Sequence, residues 1–456
     1  MAGILIKNIR EIITMDQERR RLKGYSLLIR GNRIERLARE IEEQPLALDE
    51  VIDGRNYFLY PGLINTHHHF YQVLTRNLPE VQGLELFGWL QYLYPIWARL
   101  TPEAVYYSTL VAAGELLKTG CTTACDHFYV FPGHQSAELL DQEFRAAAEI
   151  GIRFHGSRGS MSLGQKEGGL PPDEVVQSAE EILADSVRVI EKYHDRKPFA
   201  MQRVVLAPCS PFSVSRDLLR ESIKLARSYQ VRSHTHLAET KDEERFCQER
   251  FGVRPLDYME ELGWLGADVW FAHGVHLTTA EIKRMAASGT GVAHCPVSNQ
   301  KLASGAAPVP TMLSHNLPVG LAVDGSASND SSNLILEMRA AFLMHRLLAG
   351  ISSISAEDVL AIATNGGSRI LNQPEIGSIA EGQAADLFLV NCQRLDWAGG
   401  LSDPVSALIN TGNSQLVDLT IVNGKVVVRE GRLVNVAEEL IIAAANRISR
   451  EMVGGA

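Results

Sequence analysis

The sequence predicts an α/β fold: a closed, TIM-like (β/α)8 barrel carrying a small β-sandwich domain formed from both chain ends. Two observations lead there. Between residues 61 and 378, eight apolar strand runs alternate with amphipathic helical stretches, the pattern of βα units and a parallel sheet. Outside that span, both ends read as short strands joined by tight Gly-Asn and Asn-Gly turns. The length of 456 residues, 45% of them hydrophobic and 21% charged, exceeds one small domain and supplies a large core. A count of eight also fits an open doubly wound sheet, but closure is the usual outcome of eight such units.

In order, residues 1–60 supply the N-terminal part of the sandwich. Ile4-Leu5-Ile6 alternates into Ile12-Ile13, and runs 26–29 and 33–37 flank Gly31-Asn32 as a hairpin, which together read as a small antiparallel sheet. The barrel strands are expected at 63–69, 122–127, 153–158, 204–209, 232–236, 269–273, 291–295 and 319–324. Helical runs at 101–118, 215–229 and 277–287 lie between them, several opened by Ser/Thr caps. The aromatic stretch 86–94 suits a lid, a core element or a subunit contact. Residues 379–456 return to the sandwich with runs at 385–390 and 419–428, the latter turning at Asn423-Gly424, and end in a helix.

A formal charge of -10, from 44 Lys+Arg against 54 Asp+Glu without long blocks, argues against a nucleic-acid partner. The six cysteines form no CxxC pair, which suits free thiols in a reducing compartment. With no signal-like segment after Met1 and no apolar run of membrane-spanning length, a cytoplasmic address without membrane contact is expected, for a protein that forms a homo-oligomer.

The polar residues concentrate where a barrel places its chemistry, at the C-terminal ends of strands. The run Pro61-Gly62-Leu63-Ile64-Asn65-Thr66-His67-His68-His69 sends an apolar strand straight into three imidazoles. Side chains alternate along a strand, so His67 and His69 share a face and His68 takes the other. Two imidazoles on one face grip a divalent ion, zinc being the commonest choice for such nitrogen-rich sites. Strand five ends in His234-Thr235-His236-Leu237-Ala238-Glu239, strand six in His273 and strand eight in Asp324. His234 and His236 share a face, and spacing alone does not choose between them.

With its motifs PGLINTHHH, HTHLAE, FAHGVH, GVAHCPVSN and VDGSASND, the chain resembles the amidohydrolase superfamily, in its mononuclear deaminase and triazine-hydrolase branch, over nearly its whole length. The resemblance implies that His67, His69, His236 and Asp324 bind one divalent metal, zinc or iron(II), with Glu239, His273 and Asp324 as catalytic residues. The choice of His236 rests on the family's His-x-x-Glu motif. Binuclear relatives carry a lysine at the end of strand four; here Ala207-Pro208-Cys209 stands there, which implies a single metal.

Three imidazoles and a carboxylate leave a coordination position for water, whose pKa falls towards neutrality on a divalent cation. Glu239, three residues past His236, is placed to carry a proton to a ring nitrogen or departing amine, and His273 to steady the attacking water. The set suits hydrolytic displacement on an amidine-like ring carbon of a small heterocycle. A non-catalytic relative of the family typically loses ligands, and none is lost here.

Loop stretches FGWLQYLYPIWARLTPE, HGSRGSMSLGQKEGGLPPD, APCSPFSVSRDL and NQKLASGAAP resemble 8-oxoguanine deaminases, which implies hydrolysis of 8-oxoguanine to urate and ammonia. Triazine hydrolases share Ser160, Gly164, Glu167, Gly168 and Gly169, and guanine and isoxanthopterin remain alternatives. Gln72 matches a glutamine with which guanine deaminases hold the purine edge, but the Arg-Phe pair they present after strand four is absent: Cys209-Ser210-Pro211-Phe212 stands instead. Retention of Glu239 and Asp324 favours deamination, because an amine leaves only with a proton and chloride does not. Cys209, Ser210, Ser213 and Arg158 are the expected polar wall around the C8 end of the substrate.

Overall fold

The computed structural model describes residues 3–44, 46–133, 136–411 and 416–454. Eight parallel strands close into a barrel: β1 (Leu63–Asn65), β2 (Cys121–Phe128), β3 (Arg153–Ser160), β4 (Gln202–Pro208), β5 (Arg232–Leu237), β6 (Val269–His273), β7 (Gly291–His294) and β8 (Val319–Leu321), with β8 pairing back onto β1 through Leu321 and Asn65. Helices open where the caps predict. Thr101, Ser215 and Thr278 each accept a backbone N–H of the first turn, and Thr278 completes a capping box with Glu281.

Two strands are shorter than their apolar runs. The first barrel strand stops at Asn65 and resumes as a two-residue rung, His68–His69, paired in parallel with Asp324–Gly325 above β8. In the gap, the Asn65 side chain accepts the Val323 N–H at 3.0 Å, the Thr66 N–H and hydroxyl both reach Leu321 O, and the Asp324 N–H reaches His67 O at 3.2 Å. The break is local because Asp324 has φ +62°, outside the extended region.

The chain ends form two sheets. One has four strands, in the order Arg33–Ala38, Tyr25–Arg30, Gly3–Ile9, Leu48–Asp53; the other has seven and draws Glu11–Ile13, Arg21–Leu22 and Tyr57–Pro61 from the N-terminal end and Leu387–Asn391, Leu419–Val422, Lys425–Arg429 and Arg432–Leu433 from the C-terminal end. Neither is purely antiparallel. Gly3–Ile9 pairs in parallel with Leu48–Asp53, as does Glu11–Ile13 with Tyr57–Pro61, because the intervening chain crosses over instead of turning back as a hairpin. Ile6, Ile12, Leu27, Ile29, Leu59, Leu387 and Ile421 fill the space between the sheets. At the hairpin turn, Asn423 and Gly424 both have positive φ (+50° and +78°), as the primed turn requires.

A buried ion pair ties sandwich to barrel. Arg153, the first residue of β3, donates twice to Asp386 at 2.8 and 3.0 Å and once each to Phe199 O and Ala200 O, while the Asn423 N–H also reaches Asp386. Both side chains are fully enclosed. Removing one partner of such a pair leaves a charge in a low-dielectric interior. Asp386→Ala is therefore expected to destabilise the protein by about 3–5 kcal/mol, read as a lowered urea midpoint, while Lys7→Ala, which breaks an exposed ion pair with Glu43, is expected to leave it nearly unchanged.

Candidate metal centre and substrate cavity

Hydrogen bonds at the strand tips determine which nitrogen of each imidazole faces the barrel axis. A carbonyl oxygen only accepts, so a ring nitrogen bonded to one carries the proton. His69 Nδ1 donates to His127 O and His236 Nδ1 to Cys209 O, both at 2.7 Å, which leaves lone pairs on the two Nε2 atoms. His234 Nδ1 donates to Trp270 O at 3.0 Å; its Nε2 must then accept from His67 Nδ1 at 2.7 Å, leaving the His67 Nε2 lone pair free. Three lone pairs converge. His69 Nε2 and His236 Nε2 are 3.1 Å apart, and Asp324 Oδ1 lies 3.2 Å from His67 Nε2 and 3.3 Å from His69 Nε2.

Acceptors facing one another in a buried space repel, and a divalent cation among them turns that repulsion into coordination. The donor set therefore fits the single metal that the sequence implies. Burial, the largest influence, holds His67 and His236 well below the usual histidine range, so both are neutral at pH 7 as ligands must be. Asp324 Oδ2 is steadied by the Ser298 and Ser328 hydroxyls at 2.5 and 3.2 Å.

His68 points away, with its Nε2 3.0 Å from the Ser332 hydroxyl. Of His234 and His236, which spacing did not separate, His234 stands behind His67 as its hydrogen-bond partner, stacked on Trp270, while His236 Nε2 faces His69 Nε2. Sequence reasoning missed His127, which joins His67, His69 and His236 in a second group whose ligand atoms lie within 4.8 Å of one another. Its Nε2 donates to Ala207 O at 2.8 Å and its Nδ1 has no protein partner. The available signal was its place in β2, another strand tip carrying an imidazole.

Glu239 and His273 sit beside this group, with Glu239 Oε2 3.5 Å from His273 Nε2. Burial first, then the charges of Asp324 and Glu243, push the Glu239 carboxyl well above the usual carboxylate range. His273 Nδ1 donates to Asn299 Oδ1 at 3.0 Å, and burial lowers its pKa, leaving a neutral ring with an Nε2 lone pair toward Glu239. Three residues here adopt backbone that favours glycine: Ala238 (φ +53°), His273 (+72°) and Asp324 (+62°). Glu243 holds the first bend, accepting the Ala238 and Glu239 N–H groups at 2.9 Å on separate carboxylate oxygens.

The cavity above has a volume of about 30 Å³ and is walled by His69, Gln72, Tyr129, Cys209, Phe212, His236, Glu239, His273 and Asp324, and by one face of the helix Leu86–Trp97. That helix is both core and roof: Leu93, Ile96 and Trp97 are buried, while Leu86, Trp89, Leu90 and Tyr94 line the cavity. Of the residues expected to meet substrate, Gln72 and Cys209 are in the wall. Arg158 is instead turned to Asp185 at 2.5 Å and Gln177 at 2.9 Å beneath Phe131, and Ser210 and Ser213 bond one another at 2.7 Å. Strand alternation reports a face, but not which partner claims the side chain.

A family model described as the amidohydrolase family matches residues 58–427. An 8-oxoguanine deaminase from Pseudomonas aeruginosa is 50% identical over 357 residues, covering 78% of this chain and 79% of the relative. A hydroxydechloroatrazine ethylaminohydrolase from Pseudomonas sp. strain ADP is 40% identical over 467 residues, covering 100% of this chain and 97% of the relative. The zinc-complexed atrazine chlorohydrolase of Arthrobacter aurescens TC1 superposes with a TM-score of 0.93 at 32% identity, over 98% of this chain and 100% of that one.

Two outcomes follow from this geometry. His67→Ala is expected to lose bound metal, and His68→Ala to retain close to one equivalent, by elemental analysis of the purified proteins. A Cβ at Gly325 would collide with the Gln72 amide. Gly325→Ala is thus expected to lower kcat/KM at least about tenfold, and to cost little further in a Gln72→Ala background, where the space is vacant; a double-mutant cycle reads the difference.

Proposed function

The chain belongs to the amidohydrolase family and is a hydrolytic aminohydrolase acting on carbon–nitrogen bonds, and from that premise we propose that its substrate is 8-oxoguanine, converted with water to urate and ammonia. The observation that carries the proposal is the place of Glu239, a buried carboxyl that faces the cavity beside His273 and whose pKa burial raises. An amine leaves a tetrahedral carbon only when protonated, and a carboxyl with a raised pKa is suited to supply that proton. The likeness to the Pseudomonas aeruginosa 8-oxoguanine deaminase supports the choice of heterocycle.

In this reading His67, His69, His236 and Asp324 hold one zinc, with iron(II) the other ion that suits the set. The zinc-bound structural relative supports that choice. Such a cation supplies Lewis acidity and makes water nucleophilic near neutral pH. The residues do the rest. Asp324 takes the proton shed by the attacking water, with His273 Nε2 steadying it. Glu239 protonates the ring nitrogen next to the amine-bearing carbon, takes the second proton of the water as the carbonyl forms and passes it to the departing amine, and the proton held by Asp324 then restores Glu239. Gln72, fixed against Gly325, holds the pyrimidine edge, and Cys209 closes the wall beside it.

A second reading, release of an alkylamine from a triazine, draws support from the full-length likeness to the ethylaminohydrolase. The proposal also includes a cytoplasmic address, supported by six free and buried thiols, and no helix among the described residues is long and apolar enough to cross a membrane. It includes self-association as well, supported by exposed Leu343, Leu347, Leu348 and Ile351 at the end of the helix Leu334–Ala349.

Ammonia release across 8-oxoguanine, guanine, isoxanthopterin, cytosine and amino-triazines is expected to give the highest kcat/KM with 8-oxoguanine. A maximum on a triazine would overturn the substrate assignment. Glu239→Gln is expected to keep the metal and lose about 100-fold or more in kcat, and near-normal turnover by that variant would refute its role as the acid.

A further inference from the structure

A tryptophan indole N–H can only donate, and a buried donor without a partner is costly. The chain has five tryptophans. Trp97 donates to the Thr75 hydroxyl, Trp264 to Leu219 O and Trp270 to Thr66 O. Trp89 and Trp397 are buried with no protein partner for the indole N–H. Trp397 lies under Phe58, away from the cavity, whereas Trp89 is in the cavity wall.

Two other buried wall groups share this condition. The Tyr94 hydroxyl, one turn along the same helix, has no protein partner, and neither does Gln72 Oε1. The cavity thus waits for a ligand of defined polarity. It must offer a hydrogen to Gln72 Oε1 beside Asp324, and an acceptor oxygen or nitrogen to the Trp89 N–H on the helix wall.

The other polar wall groups are poor candidates for that acceptor. Ser328 is engaged with Asp324 and Gly325 O, and the Tyr129 ring stands against Tyr71 and His69. Cys209 offers only a weak S–H donor, and Arg158, Ser210 and Ser213 are committed elsewhere.

We propose that Trp89 and Tyr94 are the specificity-determining residues for the C8 end of the purine, the Trp89 N–H donating to the C8 carbonyl oxygen and the Tyr94 hydroxyl bonding the adjacent ring N–H. This rests on the reading of 8-oxoguanine as substrate. With the amine-bearing carbon at Glu239 and the pyrimidine edge on Gln72, the imidazolone end extends to the roof helix. Guanine presents a C–H there and leaves the Trp89 donor buried and unpaired, a mismatch that discriminates far better than a difference in apolar contact. Trp89 and Tyr94 take no part in the proton transfers, so their loss alters preference and not the chemistry.

The test is Trp89→Phe, which keeps an aromatic ring and deletes the donor, with Tyr94→Phe as the smaller change. Each is expected to lower kcat/KM for 8-oxoguanine about tenfold or more while leaving guanine within about threefold, so that the preference collapses. Urate and xanthine differ at C8 alone and give the same comparison as inhibitors: each variant should weaken urate and spare xanthine. A merely structural role would weaken both ligands together. Equal losses on the two substrates, or an unchanged urate-to-xanthine ratio in both variants, would overturn the proposal. A wild-type enzyme inert on 8-oxoguanine and unmoved by urate would instead refute the substrate reading, and this proposal with it.

Discussion

The site depends on backbone carbonyls at the tips of the barrel strands taking the Nδ1 protons of the histidines. His127 O binds His69, Cys209 O binds His236, and Trp270 O acts on His67 through His234. Each bond locks a tautomer and a ring plane, so three Nε2 lone pairs face one point instead of rotating toward solvent. The bonds also run between strands: His69 lies beyond β1 and reaches β2, His236 on β5 reaches the end of β4, and His234 on β5 reaches β6. Only a barrel whose strand ends are in register presents those carbonyls at the right height. The candidate constellation is in this sense a product of strand register, and a slip in one pair would rotate an imidazole away.

Around that set, the protein concentrates groups that cost free energy on folding. Glu239, Glu243 and Glu337 are buried carboxyls whose pKa values burial raises, Glu243 to about 7. Ala238, His273 and Asp324 hold backbone angles that cost on the order of 1–3 kcal/mol each. Their neighbours offset part of this: Glu243 accepts two consecutive N–H groups at the Ala238 bend, and Glu337 accepts the Val297 N–H and an Asn329 amide hydrogen below Asp324. Strain and buried acids gather at the cavity because reactive geometry there must be held against its own preferences, by a shell dense enough in hydrogen bonds to do so.

Much of this was legible in the sequence. All eight barrel strands lie where apolar runs alternate with capped helices, because burial on both faces writes itself into continuous apolar segments. Strand alternation separated His68 from His67 and His69 for the same reason: a two-residue period is local. What depended on distant partners was not legible. The gaps after Asn65 and Leu321 are made by side chains bonding across the barrel seam. The parallel pairs in the sandwich depend on chain crossovers. Arg158 follows Asp185 in a neighbouring helix, and the role of the helix Leu86–Trp97 as both roof and core needs the barrel mouth beneath it. His127 went unnoticed because its neighbours in β2 carry no motif.

The seam between first and last strands gives the proposed metal a second task. Strands β3 and β4 pair continuously from Phe154 with Gln202 to Ser160 with Pro208, whereas β1 and β8 meet in the single pair of Asn65 with Leu321. Beyond it the chain makes one further rung, His68–His69 against Asp324–Gly325, and the candidate ligands flank that rung: His67 and His69 from one side, Asp324 from the other. A cation there spans the barrel joint with the fewest paired strand residues. Its binding free energy adds to the stability of the folded state, because an unfolded chain does not assemble these ligands. The like-polar atoms that repel without it at the seam are also the atoms that would close it with the metal, so the proposed chemistry and closure share His67, His69 and Asp324.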